Sequence, residues 1–245
     1  MNNIIEVKDL ITEYDGLKIL DGISIDVKEN EVFIILGGSG CGKTTLLKHI
    51  IGLLQPVSGS IKIFGEETTT MEEEDFEEIL IKCGVLFQNG ALLNSLSIGE
   101  NVAIPIEQHT DFEQPLIDRM IKTKLHLVEL GQAMNLSPAE LSGGMRKRAA
   151  LARAIALDPQ ILFCDEPSAG LDPVTSAAID SLLLKLKEQL NMTIVVVTHE
   201  LASIHRIADR IVFLDKGKAL FVGTLQEALD CDIKEIKEFF SVGRF

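Results

Sequence analysis

Tryptophan is absent from this 245-residue chain and tyrosine occurs once, at Tyr14, beside 46% apolar and 24% charged residues. That balance is ordinary for a folded α/β chain and excludes a disordered one. Long hydrophobic runs are also missing. The longest, such as Val32 to Leu36 and Thr193 to Val197, cover a handful of residues, well short of the roughly 18 that a membrane-spanning helix needs. Their length and β-branched content instead predict strands covered on both faces, as in a parallel sheet. Positive charge is in deficit, with 23 Lys and Arg against 37 Asp and Glu and a net charge of −14. Nonspecific attraction to nucleic acid or to an anionic membrane is thereby excluded, so any attachment to a membrane must run through another protein. The four cysteines, at 41, 83, 164 and 231, have no C-x-x-C spacing, which excludes a disulfide framework or a zinc site. The opening Met1-Asn2-Asn3-Ile4-Ile5-Glu6 lacks a basic start and a long apolar stretch, so no signal peptide is read and the cytosol is expected. The length suits one core with an inserted subdomain.

What is present is a glycine-rich loop. Gly37-Gly38-Ser39-Gly40-Cys41-Gly42-Lys43-Thr44 fits the pattern G-x-x-x-x-G-K-[ST], and it lies between the strand-like run Val32 to Leu36 and a helix-like run from Thr45 to Ile51. Glycines let successive N–H groups point at phosphate oxygens, and the following helix turns its positive end toward the same anion. A nucleoside triphosphate is the expected ligand. Lys43 reaches the β- and γ-phosphates in this arrangement, and the Thr44 hydroxyl ligates Mg²⁺. Cys41 stands where the pattern accepts any residue.

Further along, Ile161-Leu162-Phe163-Cys164-Asp165-Glu166 reads as a buried strand ending in two carboxylates. In phosphate-loop enzymes an acid at the end of a neighbouring strand helps hold Mg²⁺ and a second group orients the attacking water. We assign Asp165 to the metal and Glu166 to the water, against the plainer view that the pair caps the helix beginning near Pro173. Between the two motifs, Leu141-Ser142-Gly143-Gly144-Met145 precedes an Ala- and Arg-rich helical run. Ser142 and the two glycines make a second helix N-terminus suited to an anion. One molecule already owns a phosphate loop, so a second anion site points to a nucleotide shared between two molecules.

These residues together resemble the ATPase subunit of an ATP-binding cassette (ABC) transporter, over nearly the whole chain. Leu141 to Met145 stands where that family has its LSGGQ signature. The resemblance implies an α/β fold, a P-loop NTPase (RecA-like) core with an N-terminal antiparallel β subdomain, formed by residues 1–88 and 158–245. An inserted α-helical subdomain, 89–157, is implied between them. It further implies Tyr14 stacked on adenine and Gln88 linking the metal to a membrane partner. Ser168-Ala169-Gly170-Leu171-Asp172 becomes the D-loop, and His199 the switch histidine that senses the γ-phosphate. The implied cofactors are ATP and Mg²⁺. Two copies meet head to tail, so that ATP held by Gly37 to Thr45 of one is covered by Ser142, Gly143 and Gly144 of the other.

Within the family, Phe87-Gln88-x-Gly90-Ala91-Leu92, Ser95-Leu96, Glu100-Asn101-Val102, the Met at 145 and the basic pair Lys147-Arg148 look like the Mla or MCE-type branch, which moves phospholipid between bacterial membranes. Leu93 departs from the Phe expected there. This resemblance implies integral membrane permease subunits and an MCE-domain lipid-binding protein in one complex, with a small regulatory subunit as a further candidate. The chain would lie on the cytoplasmic face of the inner membrane, held by the permease. An importer of amino acids or other small solutes shares every catalytic motif and stays open as the alternative, and nucleic acid is not an expected partner. Leu92, Leu93 and Leu96 are candidates to receive a short permease helix, although for any one of them packing within the insertion is the plainer reading. Ile233, Ile236, Phe239 and Phe240 fall on one face of a C-terminal helix expected to dock on the protein's own body.

Overall fold

Asp15 and Gly16 both adopt left-handed backbone, φ 50° and 76°, and form the two-residue turn joining strands β1 (Asn3–Tyr14) and β2 (Leu17–Lys28) into an antiparallel hairpin. The computed structural model describes residues Asn2–Ser241. The chain divides into two units, Met1–Leu80 with Thr193–Phe245, and Ile81–Met192. The expected helical segment 89–157 lies inside the second.

In the first unit, β1 is flanked by β2 and by β4 (Ser58–Ile63), and β5 (Glu66–Glu67) completes an antiparallel sheet in the order β2-β1-β4-β5. Ile5, Val7 and Leu10 of β1 and Leu20, Ile23, Ile25 and Val27 of β2 supply its buried side. The expected two-faced burial holds for β3 (Val32–Gly37) and β8 (Thr193–Val197), in which every residue is buried. They pair in parallel, Val32 with Ile194 through Ile35 with Val197, so their C-terminal ends emerge side by side. On its other edge β3 pairs in parallel with β9 (Arg210–Asp215), and a second left-handed turn at Lys216 and Gly217 leads to the antiparallel β10 (Lys218–Thr224). Helices α1 (Lys43–Ile50), α2 (Glu73–Leu80), α7 (Leu201–Ile207), α8 (Leu225–Asp230) and α9 (Lys234–Ser241) belong to this unit. The C-terminal helix docks as expected. Ile236 and Phe240 are buried, the Phe239 ring meets Phe213 edge-on at 5.4 Å, and Phe240 meets His205 at 5.7 Å.

The second unit has two parallel strands, β6 (Cys83–Leu86) and β7 (Ile161–Asp165), with Leu86 opposite Cys164. Four helices follow the apolar periodicity around them: α3 (Ile98–His109), α4 (Gln114–Leu127), α5 (Gly143–Ala154) and α6 (Pro173–Leu190). Ser97 and Glu100 form a reciprocal capping box that starts α3. Among the described residues, no helix is long and apolar enough to cross a membrane.

Candidate active site

The site residues read from the sequence fall in two sets, one per unit. In the first, the loop from Gly37 to Gly42 leaves the C-terminal end of β3. At Gly37 the backbone has φ 147°, and a Cβ there would lie 2.1 Å from the Leu214 carbonyl oxygen and 2.8 Å from Cys41 Sγ. Only glycine lets the loop lie this close to β9. Gly42, with φ 105°, is the N-cap of α1 and offers no side-chain bond to the helix end, so the first-turn N–H groups depend on another acceptor. Lys43 Nζ curls back over the loop and donates to the carbonyls of Gly37, at 2.9 Å, and Gly38, at 2.8 Å. Gly38, Ser39 and Gly40 are exposed, with Thr44 and Thr45 half-buried at the start of α1. The helix begins at Lys43, two residues ahead of the run read from the sequence, because Gly42 already turns the chain into it.

Cys41 proves less free than its place in the pattern suggested. The residue is only 5% exposed, and burial pushes its thiol pKa up. Tyr14 ends β1 and is 46% exposed. His199 lies two residues beyond β8, exposed, after the buried Thr198, whose hydroxyl accepts from the Glu200 N–H. Because β3 and β8 are parallel neighbours, His199 and the phosphate loop leave the same edge of this sheet, the edge at which ligands bind in open α/β sheets.

In the second unit, Gln88 follows β6, and Asp165 and Glu166 close β7, again at adjacent C-terminal ends. Asp165 is buried and Glu166 half-buried with left-handed backbone, φ 48°, unusual for a residue with a side chain. The pair does not cap a helix. Asp172 is the N-cap of α6, its carboxylate accepting from the N–H groups of Val174 and Thr175, and the Thr175 hydroxyl, together with those N–H groups, holds its pKa below the usual carboxylate range. Ser142 is the exposed N-cap of α5 and accepts from the Met145 N–H at 3.3 Å. Its glycines also have a packing role that the sequence reading lacked. A Cβ on Gly144 would meet Thr175 Cγ2 at 2.6 Å, and one on Gly143 would meet Leu171 Cδ2 at 3.3 Å.

Three further residues hold backbone beside this site, a role that the sequence reading gave to none of them. Lys147 Nζ, in α5, donates to the carbonyl oxygens of Gln88, at 2.6 Å, and Glu166, at 3.0 Å. Arg153, in the last turn of α5, donates to the carbonyls of Ala91 and Gly90 at 2.7 and 2.8 Å. Asn101, wholly buried in α3, accepts from the Leu93 N–H and donates to the carbonyls of Leu93 and Ser97. The segment after Gln88 is thus pinned along its backbone while Phe87 and Leu93 remain exposed and Leu92 and Leu96 half-buried. A polar residue on an otherwise apolar helix stripe was the available signal: Asn101 among Ile98, Val102 and Ile106, and Lys147 one turn before Ala150 and Leu151.

Residues 20–169 match the ABC transporter family. The chain is 40% identical to the intermembrane phospholipid transport system ATP-binding protein MlaF of Haemophilus influenzae, over 97% of this chain and 90% of that one. It is 39% identical to the probable ribonucleotide transport ATP-binding protein mkl of Mycobacterium leprae, over 98% of this chain and 70% of the other. Among solved structures it resembles the ATP-binding cassette MJ0796 in a dimeric post-hydrolysis state bound to ADP and phosphate, with a TM-score of 0.83 and 30% identity, over 90% of this chain and 98% of that one. A phosphate loop after β3, a carboxylate pair at the end of β7 and a serine-capped glycine signature thus occur in a chain similar to such cassettes along nearly its full length, and the protein belongs to the ABC transporter family as one of its ATPases.

Proposed function

We propose that this ATPase energises phospholipid transport between bacterial membranes, as a subunit of an Mla or MCE-type transporter. The observation that carries the reading is the 40% identity to MlaF across 97% of the chain, and the Met at 145 and the Gly90-Ala91-Leu92 segment agree with it. Its partners are then a second copy of the chain, a permease at the cytoplasmic face of the inner membrane and an MCE-domain protein. A small-solute importer is the second reading, favoured by the 37% identity, over 91% of this chain, to a methionine import ATP-binding protein, MetN of Clostridium tetani.

In mechanism, the backbone N–H groups of Gly38 to Thr45 cradle the phosphates, Lys43 exchanges its two carbonyls for the β- and γ-phosphates, and Tyr14 stacks on adenine. Thr44, Gln88 and Asp165 would hold Mg²⁺ through the oxygen donors it takes, and the ion would offset the negative charge of the phosphates. The Glu166 carboxylate orients a water whose oxygen bonds to the γ-phosphorus as the bond to the β–γ bridging oxygen breaks, leaving ADP and phosphate, and His199 contacts the γ-phosphate. The second copy presents its Ser142, Gly143 and Gly144 to the same nucleotide, where the α5 N-terminus stabilises developing negative charge. Loss of the γ-phosphate removes the bridge and opens the pair. The exposed Phe87 and Leu93 then lie where a permease helix takes up the motion, with residues 89–157 acting as the helical subdomain.

An affinity pull-down from detergent-solubilised native membranes tests the substrate class. Recovery of a permease with an MCE-domain protein and phospholipid supports the proposal, whereas a permease with a soluble solute-binding protein replaces it with the importer. Glu166→Gln tests the chemistry separately: it is expected to bind ATP and accumulate a dimer with turnover reduced at least ~100-fold, and turnover at the parent rate would remove Glu166 from its role.

A further inference from the structure

Lys147 occupies a position that the catalytic reading does not use. It lies one turn into the helix that begins at the signature, is only 8% exposed, and its ammonium joins two backbone carbonyls, Gln88 O at 2.6 Å and Glu166 O at 3.0 Å. Those carbonyls follow different strands, β6 and β7. The β6–β7 ladder pairs Leu86 with Cys164, so Gln88 and Glu166 stand at equivalent places two residues past that last pair, where strand hydrogen bonds no longer hold the chains together. The bridge also falls on a peptide that needs support, because Glu166 sits at φ 48° and a side-chain-bearing residue keeps such backbone only where its surroundings fix it. Lysine suits the task. Its compact ammonium carries three donors on a long stem, enough for two carbonyls at once, and a buried cation has reason to keep both. Arg153 grips the next part of the same loop from the other end of α5, at Gly90 and Ala91. One helix therefore carries the signature at its first turn, the bridge in its second and a loop clamp in its last.

We infer that Lys147 is a positioning residue for ATP hydrolysis: it sets the backbone under Gln88 and Glu166 as a pair and ties both to the signature helix. Removing the ammonium leaves the side chains of Gln88 and Glu166 present but lets their backbones move apart. The inference rests on the reading in which Gln88 faces Mg²⁺ and Glu166 the attacking water.

The test uses the full chain and two readouts, steady-state ATPase and the affinity for a fluorescent non-hydrolysable ATP analogue, mant-AMPPNP, in EDTA and across a Mg²⁺ titration. Lys147→Met keeps the stem and removes the donors. It is expected to lower kcat at least tenfold and to raise the Mg²⁺ midpoint for analogue binding at least threefold, with affinity in EDTA within twofold of the parent. Leu151→Ala, a wholly buried neighbour on the same helix, serves as the control for destabilisation; it lowers the melting temperature and leaves the Mg²⁺ midpoint in place. A Lys147→Met protein whose Mg²⁺ midpoint is unchanged, or moves only as far as that of Leu151→Ala, overturns the inference and makes Lys147 a structural bond alone. Should Lys147→Met fail to fold, Lys147→Leu, which also lacks a donor, is read by the same criteria. Gln88→Ala separates the two levels: if it leaves the Mg²⁺ midpoint unmoved, the metal reading fails, and if it moves the midpoint while Lys147→Met does not, the positioning role alone fails.

Discussion

Replacing Gly144 by Ala sets two known effects against each other, and the structure decides the winner. Alanine is the better helix former by about 1 kcal/mol in a helix interior, and less in the first turn where Gly144 stands. Against this, the new Cβ would sit 2.6 Å from Thr175 Cγ2, about 1 Å inside the ~3.5–4.0 Å at which carbon atoms rest. Thr175 has little room to yield. Its hydroxyl donates to Asp172 Oδ2 at 2.5 Å and its N–H to Asp172 Oδ1 at 3.1 Å, so turning the methyl away breaks the hydroxyl's bond to the capping carboxylate. Overpacking of this kind costs about 1–3 kcal/mol, and we expect a net loss of about 1–2 kcal/mol. Thr175→Ser removes the offending methyl and keeps the capping hydroxyl. In the double variant the clash is gone, so its stability should equal or exceed that of Thr175→Ser alone, with a coupling energy of about 1–2 kcal/mol. Urea denaturation followed by far-UV circular dichroism, suited to a chain without tryptophan, measures all four proteins. A Gly144→Ala protein as stable as the parent, with effects additive to within ~0.5 kcal/mol, would refute the close approach of α5 to the start of α6.

Asn101→Ala removes the donor and acceptor that hold Leu93 and Ser97; since water can reach part of that loop, the loss should be about 2–3 kcal/mol, with faster chymotryptic cleavage between Phe87 and Ser97, and an unchanged cleavage rate counts against the pinning. His49 gives a pH dependence whose sign follows from its bonds. Its Nδ1 lies 2.9 Å from the Leu54 carbonyl, which can only accept, so Nδ1 carries the proton and Nε2 accepts from the Thr12 hydroxyl at 2.6 Å. Burial pushes its pKa below the ordinary 6.5, so the unfolded chain binds the proton first and the contribution of His49, complete above about pH 6.5, is lost as pH falls through the folded value. The melting temperature of the parent should drop more steeply between pH 7 and pH 5 than that of His49→Gln, and parallel curves would remove His49 as the cause.

What was legible in the sequence is what neighbouring residues determine by themselves. The phosphate loop was readable because turn, anion cradle and cation occupy eight consecutive positions, and β3 and β8 because burial on both faces leaves an unbroken apolar run. Periodicity carried the C-terminal helix, whose Ile236 and Phe240 are buried as their spacing required. The clamps were not legible. Lys147 meets carbonyls 59 and 19 positions away in the chain and Arg153 meets carbonyls 62 and 63 away, and a carbonyl has no letter in the sequence by which to recognise it. Glycine was ambiguous for the opposite reason, since one letter serves several needs. At Gly37 both positive φ and a close backbone demand it, whereas at Gly144 only the neighbouring Thr175 does, and no local pattern separates the two. The same limit explains Cys41, free by motif and fixed by packing: a motif records which positions the ligand constrains, and the side chains constrained by the rest of the fold become visible only once β9 lies against the loop.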